Sequence, residues 1–133
     1  MIVLDASAVL ELLLRTVAGR SVADRIAAPD ETLHAPHLID LEVAQVLRRY
    51  ETTKALTPER ATEALGDFAA IDMTRYSHEM FLTRIWELRR NASAYDAAYL
   101  ALAEALGAPL LTSDKRMAGV PGHSASVELV RQQ

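Results

Sequence analysis

The chain has 133 residues, half of them apolar, which is enough for one domain over residues 1–133 with a sizeable hydrophobic core. It contains no cysteine, so disulfide bridges and zinc–thiolate sites are excluded, and its formal net charge of −4 argues against a protein that coats nucleic acid non-specifically. Residues 1–4 lack the basic start of a signal peptide and no apolar run is long enough to span a bilayer, so a cytoplasmic protein without membrane contact is expected.

Strand-like and helix-like segments alternate along the chain, and this alternation predicts an α/β fold with a parallel sheet. The opening run Met1-Ile2-Val3-Leu4 is apolar at every position, as expected for a strand that is covered on both faces. Strands are predicted at residues 1–4, 32–35, 71–73, 110–112 and 127–130, and helices at residues 8–15, 18–28, 38–51, 58–70, 77–90, 93–106 and 115–117. The histidines have no metal-ligand spacing and are expected on the surface or in loops: His34, His37, His78 and His123.

Two acids follow apolar strands at their carboxyl ends. Asp5 comes directly after the first strand, and Asp114 comes two residues after Leu110-Leu111-Thr112. Because ligands of open α/β sheets bind beyond the carboxyl ends of the strands, these two carboxylates are expected to meet. For Asp114, a turn that begins the short helix at 115–117 fits the residues equally well. Ser7 fits either a helix cap, which is favoured, or a group that orients a water at the site.

A third acid lies on the apolar side of a predicted helix. Leu38 stands four residues before Glu42 and Val46 four residues after it, so the Glu42 side chain falls within the apolar arc of the 38–51 helix. Asp40 points to the opposite side. Taken alone, Glu42 better fits a helix-edge glutamate whose carboxylate reaches water.

A fourth acid opens the alanine-rich helix. Asp96 lies three residues after Ser93, and these residues alone favour a capping box in which Asp96 bonds back to Ser93. Asp96 also shares a stripe with Tyr99 and Leu100, where the helix dipole would stabilise its ionised form and let it hold a cation. The acids with ordinary helix-surface contexts are expected only to aid solubility: Glu11, Asp24, Asp67 and Glu104.

Convergence of these four acids would imply a metal. Four carboxylates within a few ångströms raise one another's pKa, so protons or cations must neutralise the cluster. Hard oxygen ligands without histidine or cysteine select Mg²⁺, or Mn²⁺, over zinc. Such ions bind phosphates and activate water, and the chemistry implied is phosphodiester hydrolysis.

Four segments together resemble the PIN-domain family, and more narrowly its VapC-type ribonuclease toxins. They are residues 2–8, 40–44, 93–103 and 111–116, and the similarity covers essentially the whole chain. The resemblance implies a three-layer α/β/α sandwich with a mainly parallel five-stranded sheet. It also implies an acidic quartet, in which Asp5 and Asp96 are the most direct metal ligands and Glu42 and Asp114 act partly through water.

The resemblance further implies an activity and two partners. The activity is cleavage of structured RNA by a metal-activated water, leaving a 5′-phosphate product. The partners are a second copy of the chain in a homodimer and a small VapB-like antitoxin that can push a basic side chain into the acidic pocket. Some relatives carry a further acid after the Asp114 position, where this chain has Lys115-Arg116, which makes a second metal less secure. Arg89, Arg90 and Arg116 are candidates for phosphate contact, although arginines that flank helices usually meet solvent.

Other classes fit the sequence less well. A haloacid-dehalogenase phosphatase would need a second acid where this chain has Ser7, and a receiver domain would need an acidic pair after the first strand. Within the same fold, the alternatives are a housekeeping RNA-processing nuclease, a structure-specific nuclease and a catalytically silent binding module. The complete quartet argues against the silent module, and the small size favours the toxin.

Overall fold

A computed structural model describes residues 1–130 as a five-stranded, all-parallel sheet with the strand order β3-β2-β1-β4-β5. The strands are β1 (Ile2–Leu4), β2 (Leu33–Pro36), β3 (Met73–Tyr76), β4 (Leu110–Thr112) and β5 (Val127–Leu129). The helices are α1 (Ala6–Leu13), α2 (Val17–Arg25), α3 (Ile39–Thr52), α4 (Pro58–Ala69), α5 (Leu82–Glu87), α6 (Ala94–Leu106) and α7 (Lys115–Ala118), and a 3₁₀ turn at Glu79–Phe81 precedes α5. The predicted α/β fold is therefore confirmed.

The first strand forms the centre of the sheet. β1 pairs in parallel with β2 on one side and with β4 on the other. Ile2, Val3 and Leu4 are all buried although successive strand residues point to opposite faces, so both faces of the sheet are covered at this point. Parallel pairing also brings the carboxyl ends of all five strands to the same edge.

Helix α6 packs directly on the centre of the sheet, against β1, β2 and β4. Its residues from Ala97 to Ala103 are all buried, and four of these seven are alanines, which let the helix approach the strands closely. Ser93 caps its start and Gly107, with φ of 61°, ends it in the left-handed conformation that favours glycine. Both ends of this helix agree with the sequence prediction. Within the described residues, no helix has the length and apolar character needed to cross a membrane.

The main differences from the predicted elements lie between residues 71 and 90. The third strand begins at Met73 and runs to Tyr76, beyond its predicted end, because it pairs along its whole length with β2. The single helix predicted at 77–90 is instead a 3₁₀ turn followed by the short helix α5. Both helix types place residues three apart on one side, so the apolar pattern does not distinguish them.

His34 is buried in the sheet, and its predicted surface position is wrong. It accepts or donates hydrogen bonds at both ring nitrogens, to the Thr32 hydroxyl at 2.8 Å and to the Tyr76 hydroxyl at 2.8 Å. Burial lowers its pKa, which keeps the ring neutral. Tyr76, one of the two hydrogen-bond partners that make this burial tolerable, lies on β3 and is distant from His34 in the sequence.

Helices α1 and α2 pack so closely that a side chain at Gly19 has no room. A Cβ there would lie 2.1 Å from the Glu11 carbonyl oxygen, whereas a Cβ at Gly66, in the exposed middle of α4, would meet nothing within 4 Å. Glu11 also accepts a hydrogen bond from the hydroxyl of Thr16, the residue that caps α2. Glu11 therefore has a structural role in addition to the solubilising one that the sequence suggested.

We expect Gly19→Ala to lower the free energy of unfolding by about 2–3 kcal/mol, because the two helix backbones must move apart. The matched variant Gly66→Ala should raise it by about 0.5–1 kcal/mol, because alanine is the better helix former at an open position. Urea denaturation monitored by circular dichroism measures both values. Equal effects of the two substitutions would contradict the described packing of α1 on α2.

Candidate active site

Asp5 is buried at the end of β1, where it caps helix α1. Its side chain is only 3% exposed. Oδ1 accepts hydrogen bonds from the Ala8 backbone N–H at 3.0 Å and from the Ser7 hydroxyl at 2.6 Å. Oδ2 accepts one from the Thr112 hydroxyl at 2.5 Å. These donors fix the carboxylate in one orientation at the central strand end.

Ser7 and Thr112 connect the two central strand ends through Asp5. Ser7 accepts a hydrogen bond from the Ser113 backbone N–H at 3.0 Å, and Thr112 accepts one from the Asp114 backbone N–H at 3.0 Å. Asp5 rather than Ser7 caps α1, so the favoured capping role of Ser7 is wrong. The sequence interpretation missed Thr112, although its position at the end of an apolar strand was a usable signal.

Asp114 begins helix α7, as the turn interpretation predicted. Its Oδ1 accepts from the Arg116 backbone N–H at 2.9 Å, and its Oδ2 is 3.0 Å from the Arg116 guanidinium. Arg116 itself is largely exposed, so this ion pair is screened by solvent. Capping a helix and facing Asp5 are compatible roles for one carboxylate, because the Asp114 charge also raises the pKa of Asp5.

Glu42 reaches the site from α3 and is held there by α6. The Tyr99 hydroxyl, on a ring that is 2% exposed, donates a hydrogen bond to Glu42 Oε1 at 2.6 Å. Asp40, on the other side of α3, pairs with Arg75 at 2.7 Å. The apolar-arc interpretation of Glu42 thus agrees with the structure, and Tyr99 is a second residue that the sequence did not assign to the site.

Asp96 lies in the first turn of α6. Its backbone N–H donates to the Ser93 hydroxyl at 3.1 Å, which is the first half of the predicted capping box. The reciprocal bond from the Asp96 carboxylate to the Ser93 backbone is not formed among the described residues. The Ser93 side chain nevertheless acts on the Asp96 carboxylate and lowers its pKa, in opposition to the effect of burial.

The four acids influence one another electrostatically. Burial, and then the neighbouring charge of Asp114, raise the pKa of Asp5 and of Asp96. Burial raises the pKa of Glu42, with smaller contributions in the same direction from Asp96 and Asp5. The hydroxyls of Ser7, Thr112 and Tyr99 and the charge of Arg116 oppose these shifts. The four acids thus lie near enough to act on one another through their charges, and their joint role in a metal site stays a prediction.

The donor set of this site is suited to a hard cation, but the side chains do not enclose one. All four groups offer carboxylate oxygens, which Mg²⁺ and Mn²⁺ prefer. Over residues 1–130, no three acidic or histidine side chains stand close enough to ligate one ion jointly. Asp5 Oδ2 accepts a single hydrogen bond and so keeps a lone pair for a further partner.

Glu104, predicted to be a solubilising acid, instead organises the loop before β5. It accepts two hydrogen bonds from Arg84, at 2.8 and 2.9 Å, and one from the Ser124 backbone N–H at 2.8 Å. The Arg84 guanidinium and these donors lower the pKa of Glu104 to about 2. The prediction of a purely solubilising role is therefore wrong for this residue.

The family model for the PIN domain matches residues 2–122 of the chain. The all-parallel sheet with its acids at one edge agrees with that match, and the chain belongs to the PIN-domain family.

Two relatives from Mycobacterium tuberculosis narrow the assignment within this family. Ribonuclease VapC12 is 41% identical over 130 residues, covering 98% of this chain and 99% of that protein. Ribonuclease VapC9 is 46% identical over 117 residues, covering 88% of each. Within its family, the chain is thus a member of the VapC ribonuclease group.

Solved structures agree with this fold at low sequence identity. VapBC2 from Rickettsia felis, solved with a promoter DNA fragment, aligns with a TM-score of 0.72 and 15% identity over 98% of this chain and 100% of that chain. Mycobacterium tuberculosis VapC20, described as a sarcin–ricin loop cleaving toxin, aligns with a TM-score of 0.67 and 15% identity over 93% of this chain and 97% of its own. These likenesses support the fold alone.

We expect Thr112→Val to raise the pKa of Asp5 further, because the substitution removes a hydroxyl that stabilises the ionised carboxylate. Carboxyl ¹³C NMR titration of the metal-free protein measures this pKa. The matched variant Thr74→Val, at an exposed position of β3, should leave it unchanged. An Asp5 pKa that is the same in both variants would show that the Thr112 hydroxyl does not act on this carboxylate.

Proposed function

We propose that this protein is a divalent-metal-dependent endoribonuclease, and the toxin of a toxin–antitoxin module. The observation that supports the proposal is the electrostatic influence among Asp5, Glu42, Asp96 and Asp114, each of which alters the pKa of another or is altered by it. The relatives VapC12 and VapC9 are named ribonucleases, which supports RNA as the substrate. Structured RNA is the substrate class we assign.

Asp5 and Asp96 are the proposed direct ligands of Mg²⁺, with Mn²⁺ as the alternative ion. Glu42 and Asp114 would contribute partly through water. When bound, the cation supplies Lewis-acid polarisation of the phosphodiester and lowers the pKa of a water molecule. Binding would also offset the repulsion and burial that raise the pKa values of these carboxylates.

The chain's own residues give the site its orientation. Ser7 and Thr112 hold the Asp5 carboxylate by their hydroxyls, and Tyr99 holds Glu42. The first turn of α6 places its dipole behind Asp96, which favours the ionised carboxylate. Arg116 pairs with Asp114 at 3.0 Å and its charge lowers the pKa of Asp96, so we propose that it contacts a substrate phosphate.

The proposed antitoxin has a suitable surface next to the acids. A groove of about 380 Å³ between α3 and the start of α6 has a polar part, Glu42, Gln45 and Arg49, and an apolar part, Leu38, Leu41, Val46 and Tyr95. Leu41 and Tyr95 are largely exposed. An antitoxin segment with apolar side chains and one cation would fit the groove and approach Glu42.

We also propose that two copies of the chain form a homodimer. Light scattering of the purified protein would measure its molecular mass and thus this state.

We expect Asp5→Asn and Asp96→Asn each to abolish RNA cleavage and growth inhibition while the protein stays folded. Each amide removes a negative charge from a position proposed to ligate the cation directly. The matched control is Asp24→Asn, an exposed aspartate on α2, which should cleave RNA and inhibit growth like the wild type. Cleavage is followed by 5′-end sequencing of cellular RNA after brief expression, and folding by circular dichroism.

Retention of normal cleavage by either site variant would overturn the proposed mechanism. Relief of growth inhibition distinguishes a toxin from a housekeeping nuclease. Only a toxin should be neutralised when a small antitoxin from a neighbouring reading frame is co-expressed. Absence of cleavage by the wild type in Mg²⁺ and in Mn²⁺ would favour the silent binding module.

We expect Mg²⁺ to raise the melting temperature of the wild-type protein, and to do so more strongly at pH 8 than at pH 5. A ligand at one hundred times its Kd stabilises the native state by about 2.7 kcal/mol. The raised pKa values of Asp5, Glu42 and Asp96 mean that protons compete with the cation at higher pH than for ordinary carboxylates. Differential scanning fluorimetry of the wild type and Asp5→Asn checks this. An equal Mg²⁺ effect in both proteins would contradict the ligand role of Asp5.

A further inference from the structure

Helix α5 exposes an apolar face that neither the core nor the acidic site uses. Leu82 and Trp86 stand one helical turn apart, and their exposed fractions are 63% and 66%. Trp86 is the only tryptophan of the chain. Large aromatic side chains usually bury most of their area, so a tryptophan left this open indicates a contact made with another molecule.

Two arginines give this face a positive charge. The Arg89 guanidinium lies 4.5 Å from the centre of the Trp86 ring, and its Nη1 donates to the Trp86 carbonyl oxygen at 2.9 Å. Arg90 follows it and is exposed. Over residues 1–130, neither arginine forms an ion pair, whereas Arg84, within α5, pairs with Glu104. These are free cations on a chain whose formal net charge is −4.

The short link from α5 to α6 places this face near the acids. Arg90 and Asp96 are six residues apart in the sequence, a stretch that spans at most about 20 Å even when fully extended. The link is folded rather than extended, because the Asn91 and Ala92 backbone N–H groups both donate to the Leu88 carbonyl oxygen, at 2.9 and 3.1 Å. Leu88 is itself buried and anchors the link. The backbones of Arg90 and Asp96 therefore lie within a distance that one RNA strand can span.

We infer that Trp86, Arg89 and Arg90 form a stacking platform for an unpaired base of the RNA substrate. The base would stack on the Trp86 ring, and the arginines would contact the phosphates next to it. This inference rests on the proposed function, since it takes RNA as the substrate. It adds a specificity element: the platform accepts bases that are free to leave a helix, in a loop or bulge.

The arginines favour RNA over a protein partner on this face. An aromatic ring carrying the Arg89 guanidinium, with a second exposed cation at the next residue of the chain, matches the base and phosphate of a nucleotide. An apolar docking site for a helix would be better served by uncharged neighbours, and two unpaired arginines would lose hydration when covered. Binding of a peptide or of a second copy of the chain to this face would instead be independent of RNA.

Trp86 fluorescence gives a direct test that does not depend on cleavage. The probe is a labelled RNA hairpin with an unpaired purine-rich loop, titrated into the full-length Asp5→Asn protein in Mg²⁺. We expect quenching of Trp86 that saturates together with the anisotropy of the label, because stacking changes the surroundings of the ring. The same RNA annealed to its full complement should bind more weakly and cause little quenching.

Variants then measure the contribution of each group. Trp86→Ala should weaken binding of the hairpin about 5- to 150-fold, the range expected for loss of one stacked base. Trp86→Phe should restore most of the affinity measured by anisotropy. The matched control is Leu65→Ala, an exposed apolar residue of α4, which should bind like the parent protein. Arg89→Ala should reduce the salt dependence of binding, whereas Arg48→Ala on α3 should not.

Two results would overturn the platform. One is unchanged Trp86 fluorescence at an RNA concentration that saturates the anisotropy. The other is equal affinity of the Trp86→Ala and Leu65→Ala proteins for the hairpin. If Trp86→Ala then also changes the molecular mass measured by light scattering, Trp86 contacts a second copy of the chain and not RNA. The proposed function is tested separately, by measuring RNA cleavage by the wild-type protein, in which Asp5 is intact. If that protein cleaves RNA and Trp86→Ala cleaves it with the same kcat/KM, the platform fails while the ribonuclease stands.

Discussion

The burial of one carboxylate, Asp5, at the end of the central strand is the constraint on which the rest of the site depends. A buried charge is tolerated only with several hydrogen-bond donors, and here they come from the start of α1 and from the end of β4. The same bonds fix the position of β4 relative to β1. Because Thr112 and Asp114 are only two residues apart, fixing one strand end for Asp5 also brings the second acid to the site.

The other two acids are positioned by a different means, the packing of α6 on the sheet. Its alanines allow close contact with β1 and β2, and its first turn then carries Asp96 to the edge where the strands end. One turn further along, Tyr99 reaches across to Glu42 on α3. A single helix thus supplies one acid and holds another. Burial, with smaller contributions from the neighbouring acids, raises the pKa of Asp5, Glu42 and Asp96, and the negative charge of these acids would suit a divalent cation.

The sequence predicted those features that local pattern determines. Asp5 and Asp114 were found because apolar strands precede them, and α6 was bounded correctly because Ser93 and Gly107 are strong end signals. The partners that complete the site were missed, since Thr112 and Tyr99 act through contacts to residues more than 50 positions away. The roles of His34 and Glu104 were wrong for the same reason.

The central claim is that the four acids together hold a divalent cation. The most direct measurement is anomalous X-ray diffraction from crystals of the wild-type protein grown with Mn²⁺. This ion scatters anomalously, and it is the alternative to Mg²⁺ in the proposed site. We predict an anomalous peak within coordination distance of both Asp5 and Asp96, about 2.0–2.3 Å from a carboxylate oxygen of each. Crystals with saturating Mn²⁺ that give no peak between these two residues would contradict the account.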